Sequence, residues 1–122
     1  MQVTFALLVD PAQTPAQLPG PNGGDRYVGV RLRISISGSS SFADDPYADT
    51  LVSDAQGHLY SAVPTQLQNC APMTVGGITL SSNQTVLGCV SFLLPLNAVI
   101  TQVQYTPGGA NYGGATATWQ VP

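Results

Sequence analysis

The chain has 122 residues, of which only 7% are charged, and these are three arginines and six aspartates without any lysine or glutamate. Soluble domains usually carry about 25%, and a chain with 13 glycines, 10 prolines and so few helix-forming residues excludes long surface helices. A net charge of −3 argues against nucleic-acid binding, which needs a basic surface. Because Val, Leu, Ile and Phe still make up about a quarter of the chain, we expect one folded domain over residues 1–122.

The first third of the chain predicts two strands separated by a loop. Residues 2–10 alternate, and Leu8 is the exception to the pattern. The apolar face of this strand consists of Val3, Phe5, Leu7 and Val9. Residues 11–24 are rich in proline and glycine and predict a loop. Residues 26–37 give the strongest strand pattern, with Arg31 and Arg33 facing water and a core face of Val28, Val30, Leu32, Ile34 and Ile36.

The middle of the chain predicts a hairpin. A polar loop over residues 38–45 precedes a short strand at 50–53. Turn residues follow at 54–57, and 58–63 form the returning strand. A further short strand is predicted at 77–80.

The last third predicts three strands, at 84–94, 98–106 and 115–121, with a glycine-rich turn at 107–114. Trp119 shares a face with Ala117 and Val121, which favours packing in the core over exposure as a ligand platform. Short strands at close spacing, without a helical period, predict an all-β fold. We expect an antiparallel immunoglobulin-like β-sandwich of seven to eight strands, with a small barrel as the alternative.

Cys70 and Cys89 predict one disulfide. Cys89 lies in an alternating strand and Cys70 in a loop-like stretch, so a bond would pin the loop to the strand. Closing a loop of this size would stabilise the fold by about 3 kcal/mol. The alternative is two unpaired thiols.

A disulfide also indicates an oxidising compartment. No signal-peptide pattern and no run of about 18 apolar residues is present. Met1 stands directly before strand-like residues, as if added to a shortened chain. We therefore expect a secreted or extracytoplasmic protein whose signal peptide, lipid anchor or membrane segment has been removed.

Four aspartates are the candidates for a metal site. Asp44, Asp45, Asp49 and Asp54 lie close together in the sequence, and loops rich in carboxylates can bind calcium. Their spacing does not match a D-x-D-x-D-G loop, and no glutamate is available as a bidentate ligand. We favour solvated turn formers that balance the arginines, with calcium as the alternative.

His58, the one histidine, is the residue on which a general base or metal site would depend. It stands beside a turn without a recognisable partner, no G-x-S-x-G motif occurs, and glycosidase chemistry usually needs a glutamate. The glycine-rich segments match no phosphate-binding motif. We therefore expect no catalytic residues and no cofactor.

Two segments resemble a known family. A D-x-x-G-x-x-Y turn runs from Asp54 to Tyr60, and a G-x-V-x-F-x-x-P strand runs from Gly88 to Pro95. With the strand at 26–36 and a closing segment that contains Trp119, they resemble the small extracellular immunoglobulin-like domain, of unknown function, of actinobacteria and other Gram-positive bacteria. That family includes the mycobacterial immunoprotective extracellular antigen. Residues 63–82 depart from the family pattern.

The resemblance implies a secreted or anchored β-sandwich without established enzymatic activity, and it transfers no active-site residue. We therefore expect a non-enzymatic extracellular or cell-envelope module that contacts a protein or envelope partner. The alternative is a small-ligand or calcium-binding module built on residues 42–54. The sequence does not identify the binding residues.

Overall fold

The computed structural model describes residues 2–15, 20–21, 23–36, 42–68, 70–73, 77–81, 83–106 and 116–121. The strands are β1 (Gln2–Ala12), β2 (Asp25–Ser35), β3 (Phe42–Asp44), β4 (Thr50–Asp54), β5 (Leu59–Ser61), β6 (Ile78–Leu80), β7 (Thr85–Pro95), β8 (Ile100–Tyr105) and β9 (Ala117–Gln120). One helical turn, α1, spans Pro46–Asp49.

The strands form antiparallel sheets of three strands, in the order β1-β2-β7, and of four strands, in the order β5-β4-β8-β9. A small sheet pairs β3 with β6. The predicted all-β sandwich is confirmed, although the described residues form nine strands and not seven to eight, because β3 was not predicted. Its core lies between the two larger sheets. The even-numbered residues of β2 and β7 point inward and pack against residues of β4 and β8. The fully buried side chains include Val28, Val30, Leu32, Ile34, Val52, Val90, Phe92, Leu94, Val103 and Tyr105.

The predicted face of β1 is wrong beyond Phe5. The pairing of β1 with β2 shifts register between Phe5 and Leu7, which marks a β-bulge. One extra residue reverses the alternation, so Leu8 packs on the core and Leu7 is 46% exposed. The bulge therefore explains the apolar Leu8 that interrupted the sequence pattern.

A second bulge changes the start of β8. Ser53 pairs with Gln102 but Asp54 pairs with Ile100, so Thr101 is the extra residue. Ile100 is consequently buried, whereas Val99, which a simple alternation would place on the same face as the buried Val103 and Tyr105, is 61% exposed. This bulge also fixes where Asp54 lies relative to the turn between β7 and β8.

The loop predicted at 38–45 is wrong in its second half, where residues 42–44 form β3. Asp45 then caps α1, because its side chain accepts from the amide of Tyr47 at 3.2 Å. Pro46 occupies the first helical turn, where its missing N–H costs nothing. Residues 38–41 and the turn predicted at 107–114 lie outside the described residues.

The disulfide between Cys70 and Cys89 is confirmed, with Cα atoms 5.6 Å apart. It holds the segment that follows β5 against the outer face of β2 and β7, where the two cysteines, Ala12 and Leu67 form a second small core. Gly29 is needed beneath it, since a Cβ there would lie 3.1 Å from both Cys70 Sγ and Leu67 Cδ1.

The same segment covers the outer edge of β7. The amide of Val63 donates to the carbonyl of Ser91 and the amide of Met73 to that of Cys89, both at 2.8 Å. These bonds protect the edge from pairing with another chain.

Within the described residues, no helix is long and apolar enough to cross a membrane.

Candidate functional site

The turn between β4 and β5 folds around Asp54, the last residue of β4. Gly57 adopts a φ of +84°, a left-handed conformation that glycine takes without strain. Its amide donates to the carbonyl of Asp54 at 3.1 Å, and the amide of Asp54 donates to the carbonyl of His58 at 3.1 Å. The turn thereby folds residues 56–60 around the Asp54 side chain.

The Asp54 carboxylate takes part in four hydrogen bonds. Its Oδ1 accepts from the backbone amides of Gln56 and His58, both at 2.9 Å. Its Oδ2 accepts from the Tyr60 hydroxyl at 2.8 Å and lies 2.9 Å from Nδ1 of His58. Because a carboxylate only accepts, Nδ1 of His58 carries the proton in this contact. The four bonds fill the acceptor sites of Asp54, which leaves this carboxylate little capacity for a ligand.

These contacts set the protonation of two side chains. Burial raises the pKa of Asp54, but the hydrogen bonds from Tyr60, His58 and Gln56 outweigh it and hold that pKa far below 3.8. The hydrogen bond to Asp54, together with burial and the negative charge, raises the pKa of Tyr60. Asp54 is therefore ionised and Tyr60 neutral at physiological pH.

His58 is held on one side and open on the other. Its side chain is 68% exposed, whereas the side chain of Asp54 is 2% exposed. With Nδ1 bound to Asp54, Nε2 is the ring nitrogen that a ligand can reach. In the neutral ring this nitrogen is an acceptor, and in the protonated ring it is a donor.

The turn between β7 and β8 faces this hairpin and is held by Arg26. The Arg26 guanidinium donates to the carbonyls of Pro95 and Ala98, both at 2.6 Å, and to that of Leu96 at 3.2 Å. It also forms a two-point ion pair with Asp10, through Nε at 2.7 Å and Nη2 at 3.2 Å. All five N–H groups are thus occupied, and the side chain is 13% exposed. Arg26 ties the ends of β1 and β2 to the β7–β8 turn.

Between the two turns lies a depression of about 300 Å³, which we name the turn pocket. Its lining residues are Asp54, Gln56, His58, Tyr60, Pro95, Asn97 and Ala98. Leu96 and Val99, in the same β7–β8 turn, are 58% and 61% exposed. The volume is at the lower end of the range of about 300 to 1,000 Å³ for ligand pockets.

The other aspartates are placed differently from our expectation. Asp44 is buried and accepts a short hydrogen bond from the hydroxyl of Tyr105, and Asp45 caps α1. Burial of Tyr105 and its bond to Asp44 strongly raise the pKa of that tyrosine. The prediction of solvated turn formers is wrong for Asp44. Asp54 forms the predicted turn but is not solvated. Both are buried, because each takes part in a hydrogen-bond network.

The four calcium candidates do not converge. Asp44 and Asp45 lie beside the start of β4, and Asp54 lies at its far end, about 13 Å along an extended strand. In the described part of the chain, no three His, Cys, Asp or Glu side chains are grouped so as to hold a metal ion.

The predicted packing of Trp119 is confirmed, since the ring lies against the core and 6.2 Å from the ring of Phe5. Sequence reasoning missed the partnership of Asp54 with His58, although the D-x-x-G-x-x-Y turn contained its signal. An aspartate that opens a tight turn commonly bonds to the next backbone amides, and a return strand then brings residues 58 and 60 within reach.

No family model matches the chain, and no curated protein matches it. Among solved structures, the chain is similar to a proposed lipoprotein of Bacillus subtilis subsp. subtilis strain 168, with a TM-score of 0.67 and 12% sequence identity. The likeness covers 98% of this chain and 35% of the other, so this chain spans about a third of its neighbour's length. At this identity the likeness establishes the fold, a β-sandwich.

Proposed function

We propose that this chain is a non-enzymatic, extracytoplasmic immunoglobulin-like module that binds a protein or cell-envelope partner through the turn pocket. The observation that carries the proposal is His58, whose ring is fixed at Nδ1 by a buried carboxylate yet is 68% exposed beside a depression. A side chain that is already oriented loses little conformational entropy on binding, which favours recognition.

The chemistry of the lining supports binding over catalysis. A histidine and aspartate pair can act as a base, but nucleophilic catalysis also needs a hydroxyl or thiol within reach. No serine, threonine or cysteine is among the described residues that line the turn pocket. The hydroxyl of Tyr60 donates to Asp54, and its raised pKa makes it a poor nucleophile.

Three observations support an extracytoplasmic location. The Cys70–Cys89 disulfide is typical of oxidising environments. The structural neighbour is described as a lipoprotein, which is a class of envelope-anchored protein, although its likeness to this chain concerns the fold. The sequence resemblance to a secreted immunoglobulin-like family points in the same direction.

A sedimentation assay tests the proposal. Purified protein is mixed with envelope fragments of the source organism, and the sedimented fraction is measured for wild type, Asn97→Ala and Thr118→Ala. Asn97 lines the pocket, whereas Thr118 is exposed on the distant edge strand β9. We expect the wild type and T118A to sediment equally and N97A to sediment several-fold less. Equal sedimentation of all three, or none of any, would refute the proposal.

A further inference from the structure

Two charged side chains at the turn pocket, those of Arg26 and Asp54, are engaged within the protein. The five N–H groups of Arg26 bind Asp10 and three carbonyls of the β7–β8 turn. The carboxylate of Asp54 takes part in four hydrogen bonds. A charged ligand would therefore meet no unpaired opposite charge from either residue, and displacing an internal partner would leave a group unsatisfied.

The other polar side chains that line the turn pocket are neutral and can both donate and accept hydrogen bonds. Gln56 and Asn97 are exposed, and neither side-chain amide makes a hydrogen bond within the described part of the chain. Each amide offers two donors and an acceptor, and the neutral His58 ring offers an acceptor at Nε2. Pro95 and Ala98 add an apolar surface to the same lining.

We infer that the ligand of the turn pocket is a neutral, hydroxyl-rich saccharide, an inference that rests on the proposed function and names its ligand class. A sugar hydroxyl both donates and accepts, which matches an imidazole acceptor beside two amides. The C–H face of a sugar ring suits the apolar surface of Pro95. A pocket of about 300 Å³ can hold a short segment of a saccharide.

Two single-copy residues make the inference testable by nuclear magnetic resonance. His58 is the one histidine in the chain and reports on the pocket, and Trp119 is the one tryptophan and packs against Phe5 elsewhere. The probes are chitotriose and cellotriose, both neutral, with trialanine and trilysine as peptide comparisons. We expect saturable shifts of the His58 ring signals with at least one trisaccharide, and an unmoved Trp119 indole N–H signal.

Variants of the two amides provide the control. Gln56→Ala and Asn97→Ala keep the His58 reporter, and each should weaken saccharide binding about five- to tenfold, the effect of one hydrogen bond. Thr118→Ala should bind as the wild type does. A decrease with T118A equal to that with N97A would overturn the inference.

The remaining outcomes separate the inference from the function on which it rests. Shifts of His58 by a peptide and by neither trisaccharide would overturn the saccharide class and leave the pocket as a binding site. An unmoved His58 signal, while envelope sedimentation still depends on Asn97, would also overturn the saccharide class alone. Loss of both results would overturn the proposed function as well.

Discussion

Two buried aspartates stand at opposite ends of β4 and have opposite surroundings. Asp44, beside the start of the strand, binds the hydroxyl of Tyr105, which is fully buried. Asp54, at the end of the strand, orients His58, whose side chain is 68% exposed. A buried carboxylate is therefore not in itself a sign of a functional site. Among the described contacts, the two ends differ in whether the hydrogen-bond network includes a side chain that solvent can reach, as His58 does at the Asp54 end.

We call the Asp44 end of β4 the closed end and the Asp54 end, with the exposed His58, the open end. The largest loss of stability is expected at the closed end. Tyr105→Phe removes a hydrogen bond between two buried side chains and should lower the free energy of unfolding by about 3 kcal/mol, measured by urea denaturation. Tyr60→Phe is the matched change at the open end. It should cost less, because Asp54 keeps its three other hydrogen bonds. An equal or larger loss with Y60F would show that the two ends do not differ in this way.

Arg26→Lys tests what holds the open end together. A lysine has three donors without the planar fork, so it cannot replace the ion pair with Asp10 and the three carbonyl bonds at once. We expect a loss of about 2 kcal/mol in stability and weaker envelope sedimentation, because the β7–β8 turn lines the turn pocket. Unchanged stability would show that the turn is held by other contacts.

Lowering the pH should destabilise the fold through protonation of Asp54. Its pKa is lower in the folded chain than in the unfolded chain, so the stabilisation is complete above the unfolded value of 3.8 and is lost as pH falls below it. The urea midpoint of the wild type should therefore fall more steeply below pH 3.8 than that of Asp54→Asn, which has no such carboxyl. Parallel curves for the two proteins would contradict the low pKa.

Calcium should have the smallest effect. The candidate aspartates lie at both ends of β4, and Asp44, Asp45 and Asp54 each accept hydrogen bonds from the protein. We expect the thermal midpoint to be unchanged at millimolar calcium. An increase would reveal a site, because a ligand that binds the native state must stabilise it.

The sequence predicts most of the fold but little of the candidate site. Alternation places the central strands β2 and β7 correctly, because each faces a core on one side. It fails where a bulge inserts one residue, since neither Ala6 nor Thr101 differs in type from an ordinary strand residue.

The turn pocket depends on contacts between distant parts of the chain. The turn from Asp54 to Tyr60 is local and visible in the sequence. The opposite wall comes from residues 95–98, which Arg26 positions from about 70 residues away. The contact between Arg26 and the β7–β8 turn cannot be predicted from periodicity or motif spacing. The pocket can therefore be recognised only in the folded structure.

In the proposed function, His58 serves binding and Asp54 serves the fold. This division of roles is tested most directly by His58→Ala, with stability and envelope sedimentation measured on the same protein. We predict a smaller loss of unfolding free energy than for Y105F, because Asp54 keeps its bonds from Tyr60 and from two backbone amides, and a several-fold loss of sedimentation. Sedimentation equal to that of the wild type, in a stably folded H58A protein, would contradict the claim.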